Sequence, residues 1–110
     1  LLNNLKKDDL IVKGDYLNFY FRISLILRLF IELHYEINSV EMTTSEIRAN
    51  LILEDHSEKS KILKFLANAD MIKFAKAIPA ISDSEKTLFW LEDYLKSFGN
   101  LKETEELKNA

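Results

Sequence analysis

Apolar residues run almost unbroken through residues 16–33, YLNFYFRISLILRLFIEL, where Arg22, Arg28 and Glu32 are the ionisable interruptions. Three such groups near the middle of a lipid-facing helix would cost about 3 kcal/mol each, so the segment reads as an interior helix rather than a membrane span. At 100° per residue, Asn18, Arg22, Leu25, Arg28, Glu32 and Glu36 gather within about one third of the circumference, and the rest is apolar. A helix of this kind has to be wrapped by others. It is predicted over residues 15–37 as the central strut, with Gly14 as a break, Asp15 as its N-cap and Asn38-Ser39 closing it.

Downstream, the pattern predicts three further helices. Thr43-Thr44-Ser45-Glu46 has the spacing of a capping box, in which the Thr43 hydroxyl takes the Glu46 amide and the Glu46 carboxylate reaches back. The helix it opens should span residues 44–53, burying Ile47 and Leu51, with Met42 as a staple. Asp55-His56-Ser57-Glu58 offers a second box ahead of a helix whose face is Ile62, Leu63, Phe65, Leu66 and Ala69. Continuing that face would bring in Asp70 and Lys73, so a break or kink is expected at residues 68–70, followed at residues 71–76 by a short separate turn or helix, with a brief extended segment as the alternative. Ser82-Asp83-Ser84-Glu85 is a third box, and Leu88, Leu91, Tyr94, Leu95 and Phe98 form the inner face of the last helix, with Gly99 as its stop. Residues 1–14 read as a linker or loose helix, residues 15–99 as the domain and residues 100–110 as a charged tail. The fold class is all-α, a compact four- to five-helix domain around the helix at residues 15–37.

Composition narrows the function classes. A length of 110 residues supports one domain with a core of its own. The absence of cysteine removes thiolate catalysis, thiolate zinc sites and disulfides. Two glycines and one proline leave no material for a phosphate-cradling loop or a turn-rich β fold. A net charge of −3 argues against a general polyanion binder.

Candidate chemistry is thin. His34 falls among core positions of the central helix and reads as a packed imidazole. His56 sits beside Glu54, Asp55 and Glu58, but the order of an EF-hand loop and its glycine are missing, so the group reads as a solvated helix start. The serines lack an elbow or partner motif, and 18 acidic residues supply many chance carboxylate pairs. No catalytic residue, cofactor or metal ligand is assigned. Lys59, Lys61, Lys64, Lys73 and Lys76 outnumber Glu58 and Asp70, which leaves a helix-turn-helix reading of the second and third helices as the alternative. Against it stand a connection at residues 53–57 longer than the usual tight turn and a shortage of Arg, Asn and Gln for base readout. A small-molecule sensor between the first and last long helices is a third class. Phe89, projecting among Glu85, Glu92, Asp93 and Lys96 with Trp90 beside it, is a candidate contact anchor.

Three stretches carry a family resemblance: YFRISLILR at residues 20–28, EMTTSEI at residues 41–47 and FLANADMIKFA at residues 65–75. In that order they resemble the cytoplasmic helical domain of Bat-type (aerotolerance-associated) bacterial membrane proteins, which are typically encoded beside a MoxR-type AAA+ ATPase and von Willebrand factor A domain proteins. The resemblance covers residues 15–98 and departs at Ala77-Ile78-Pro79. It implies a non-catalytic interaction domain at the cytoplasmic face of the inner membrane, anchored by a segment outside this chain, with residues 1–14 juxtamembrane. It also implies a protein partner: an AAA+ ATPase, a von Willebrand factor A domain protein or a second copy. Lys73, Phe74 and Lys76, placed after the expected break, join Phe89 and Trp90 as the candidate contact residues.

Overall fold

The structure, a computed structural model, describes residues 2–98, without the side chains of Leu2, Lys7 and Asp8. The expected Gly99 stop and the tail at residues 100–110 lie outside the described residues. The described chain is all-α: α1 (Leu2–Asp8), α2 (Leu10–Lys13), α3 (Tyr16–Tyr35), a 3-10 turn (Ser39–Glu41), α4 (Thr44–Asn50), α5 (His56–Phe74) and α6 (Ile81–Ser97). Its Cα radius of gyration is 13.4 Å, near the roughly 13 Å of a compact chain of this size.

Helix α3 is the strut. Its N-cap Asp15 accepts the Asn18 amide at 3.3 Å, and Glu36 ends it in the left-handed region at φ 55°. Phe19, Tyr20, Ile23, Ile26, Leu27, Phe30 and Ile31 are all buried, forming the middle of a single core with Ile47, Leu51, Ile62, Leu66, Leu91 and Leu95. Helices α5 and α6 pack on α3, and the Tyr20 hydroxyl meets Ser84 Oγ at 3.1 Å to tie α3 to α6 within the core.

The wrapping of α3 is less complete than its hydrophobicity implies. Leu17, Phe21, Leu25 and Leu33 are exposed, so the solvent edge carries apolar side chains among its polar ones. The N-terminal segment departs from the linker reading in the opposite direction. Leu5 and Leu10 are buried in the core, and Lys6 pairs with Glu92 of α6 at 2.6 Å, so α1 and α2 are part of the packed unit.

Local start signals fare unevenly. The Thr43 box forms in full, with Glu46 N to Thr43 Oγ1 at 3.2 Å and Thr43 N to Glu46 Oε1 at 3.1 Å. Helix α4 ends at Asn50 rather than residue 53, and Leu51 is buried beyond it. Asp55 caps α5 through the Glu58 amide at 3.0 Å, but the Glu58 carboxylate turns to two tyrosines instead of closing the box. The third box is absent. Helix α6 begins at Ile81, immediately after the extended Ala80, and Ser84 has been drawn into the core by Tyr20.

The expected break at residues 68–70 does not occur, because α5 runs through to Phe74. An amphipathic rule demands a break only if Asp70 and Lys73 would be stranded against the core. Both find partners on α3 and α4, so the helix continues and ends at Ala75 and at Lys76, which adopts φ 60°.

Candidate interaction surface

Three sequence stretches that lie far apart meet around Lys73. Helix α3 contributes Phe21, Ser24 and Arg28; the start of α4 contributes Thr44; the last turns of α5 contribute Asp70, Lys73 and Phe74. The Thr44 hydroxyl donates to Asp70 Oδ2 at 2.5 Å. Lys73 Nζ lies 4.0 Å from Asp70 Oδ1 and donates to Ser24 Oγ at 3.4 Å. Its side chain is only 4% exposed. The ammonium stands 4.8 Å from the ring centroid of Phe21 and 5.0 Å from that of Phe74, and those rings meet edge to face at 6.0 Å. Burial, and then the nearby Arg28 charge, hold the Lys73 pKa below the usual lysine value, with Asp70 pulling the other way.

Above this buried ammonium the surface is apolar. Phe74 is 69% exposed and Phe21 48%. Leu17 and Leu25 flank Phe21 one turn away on α3, and Met71 precedes Phe74 by one turn on α5; all three are exposed. Scattered exposed leucines are ordinary, whereas apolar side chains on facing edges of two helices, joined by a ring contact, form a patch.

The five sequence-predicted contact residues therefore separate. Lys73 and Phe74 belong to this patch, although Lys73 lies beneath it rather than presenting a free ammonium. Lys76 is exposed just past the end of α5. Phe89 is 71% exposed on α6. Trp90 is half-buried, with its ring 5.1 Å from Phe65 and stacked on Tyr94 at 5.1 Å. Sequence reasoning passed over Phe21, although its position inside the polar third of α3, beside Leu25, was a readable signal.

A second feature sits where α5 begins and α6 ends. Glu58 Oε1 accepts from Tyr35 Oη at 3.0 Å and from Tyr94 Oη at 2.7 Å, under an open groove of about 550 Å³ lined in part by Asp55, Lys61, Trp90 and Asp93. His34 packs nearby against Phe30 and Phe98, as a core imidazole does. Burial and the Glu58 carboxylate push the Tyr94 hydroxyl well above the usual tyrosine value of 10. Burial likewise raises Tyr35 to about 12, with the Tyr94 hydroxyl opposing the rise and the Glu58 carboxylate adding to it.

The native state thus keeps both phenols neutral at a pH where unfolded tyrosines ionise. Their contribution is complete below the unfolded value of 10 and is lost as pH climbs through the folded value, about 12 for Tyr35. Urea midpoints should therefore fall between pH 10 and pH 12, and Tyr94→Phe should flatten that fall. Parallel declines in the two proteins would show that the tyrosines do not govern alkaline stability.

A third feature is an open groove between α4 and α5 lined by Arg48, His56, Lys59, Leu63 and Lys64 among others. No acidic residue lines it. Among the described residues no three His, Asp or Glu side chains gather as a metal site, and no helix is long and apolar enough to cross a membrane.

Comparison with known proteins finds no matching family model, no matching curated protein and no matching solved structure.

Proposed function

We propose that this chain is a non-catalytic protein-interaction domain that docks a partner on the α3–α5 face, through Phe21, Phe74 and the leucines and methionine around them. The observation that carries this reading is the exposed pair of contacting rings over a buried, hydrogen-bonded lysine. Rings held in solvent on a fixed polar base give a partner a preformed apolar anchor, the kind of position where binding energy concentrates. The resemblance to Bat-type domains supports a setting in a membrane-anchored bacterial protein, on the cytoplasmic side, with a MoxR-type AAA+ ATPase or a von Willebrand factor A domain protein as partner. It draws on the same three stretches that supply the Lys73 network.

Purified domain, titrated with a MoxR-type AAA+ ATPase and a von Willebrand factor A domain protein, should bind at least one of them. Phe21→Ser with Phe74→Ser should weaken that binding by about a hundredfold, the loss of two anchoring side chains, while the domain stays folded with a smaller melting-temperature loss than Phe30→Ala. Binding that ignores the double substitution would place the contact elsewhere.

A second reading rests on the basic groove between α4 and α5: a small nucleic-acid-binding regulatory domain with Arg48, Lys59 and Lys64 on phosphates. Salt-dependent retention on DNA or heparin, lost in Lys59→Gln with Lys64→Gln, would favour it. Capture of the ATPase that persists after nuclease treatment favours the first reading.

A further inference from the structure

The docking face contains a charge imbalance. Lys73 Nζ is enclosed, and its nearest oxygen partners stand at the outer limits of a hydrogen bond and an ion pair, 3.4 Å to Ser24 and 4.0 Å to Asp70. Asp70 is shared, because its other oxygen takes the Thr44 hydroxyl. Arg28, one turn beyond Ser24 on α3, brings a second cation close enough to disfavour the charged form of Lys73. The Arg28 Nε is buried with no hydrogen-bond partner among the described residues. An ammonium with one distant, shared carboxylate and a second cation nearby is costly in a partly dehydrated site, and ring contacts offset only part of that cost. The chain as a whole carries a net charge of −3, so this local excess of positive charge runs against its composition.

We propose that Lys73 and Arg28 form an anion subsite beneath Phe21 and Phe74, which accepts a carboxylate from an acidic segment of a protein partner whose neighbouring apolar side chain covers the two rings. The proposal rests on the docking reading above and names the chemistry of the partner. A carboxylate supplies the acceptor that Arg28 Nε lacks and gives Lys73 a second counter-charge. The rings, with Leu17, Leu25 and Met71, call for an apolar group on the same segment. A free phosphate would leave those rings bare and set a second negative charge near Asp70. The mostly exposed Phe74 ring, 5.0 Å from the ammonium, is the outer wall of the subsite.

The test uses the intact domain and NMR of the lysine ε-methylene and phenylalanine ring signals at constant ionic strength. The probes are sodium acetate, N-acetylphenylalanine (a carboxylate and a ring in one molecule) and sodium phosphate. N-acetylphenylalanine should move the Lys73, Phe21 and Phe74 signals at a concentration about five-fold lower than acetate, through its added apolar contact. Phosphate should do no better than acetate. Lys73→Met and Arg28→Met should each weaken the response, read at the rings, by about ten-fold, and Lys73→Met should melt no lower than the parent. Three outcomes overturn the subsite: tighter binding of phosphate, no response to either carboxylate, or ring shifts unchanged in Lys73→Met. Partner binding that survives Lys73→Met and Arg28→Met but is lost with the two phenylalanines would sink the subsite and leave the docking face standing. Indifference to all four substitutions would sink both.

Discussion

Phe30→Ala is expected to destabilise the domain by about 3–5 kcal/mol, the range for deleting a fully enclosed ring. Phe30 has no exposed surface and sits at the junction of α3 with α6. Its ring meets His34 at 4.2 Å, Phe98 at 4.7 Å and Tyr94 at 5.5 Å. Removing it leaves a cavity that Tyr94 cannot move to fill, because it is pinned to Glu58 and stacked on Trp90. Set against a typical total of about 5–15 kcal/mol, the loss is a large share of the stability. Thermal unfolding followed by far-ultraviolet circular dichroism should show a drop of about 15–30 °C. A loss below about 1 kcal/mol would mean that α3 is not held by its neighbours at this level.

Asp70→Ala should cost about 2–3 kcal/mol, below the range for breaking a fully buried pair because Asp70 is partly solvated. It removes the only carboxylate paired with Lys73 among the described residues and strips the Thr44 hydroxyl of its acceptor. What remains is an enclosed ammonium beside Arg28. Adding Lys73→Met should recover more than half of the loss, since the uncompensated charge disappears while the apolar stem stays. Urea denaturation of the two single variants and the double variant closes the cycle. Simple additivity would show that Asp70 acts through something other than Lys73.

How legible each element was follows from the distance over which its cause acts. The caps at Asp15, Thr43 and Asp55 were readable because donor and acceptor lie three residues apart. The continuity of α5 was not, because Asp70 is answered by Thr44, 26 residues away, and Lys73 by Ser24, 49 residues away. Ser84 looked like part of a helix start until Tyr20, 64 residues distant, claimed its hydroxyl. Glu58 had the spacing of a capping-box acid, which masked its role as acceptor for Tyr35 and Tyr94. Leu5 and Leu10 sit among charged neighbours, so their burial depends on surfaces offered by other helices.

The patch divides in the same way. Lys73 and Phe74 were both singled out for following a helix break that does not occur, since α5 runs through to Phe74, and the Lys73 side chain is enclosed. Arg28 was placed on the polar third of α3 and Phe21 was passed over; the approach of both to the end of α5 is a tertiary fact. The central claim is that the molecule works through this meeting point. Hydrogen–deuterium exchange on the domain, alone and saturated with the AAA+ ATPase proposed as its partner, tests it most directly. Slowed exchange confined to residues 17–28 and 70–76 is the predicted result; slowing at residues 48–64 instead, or no change anywhere at saturation, would contradict it.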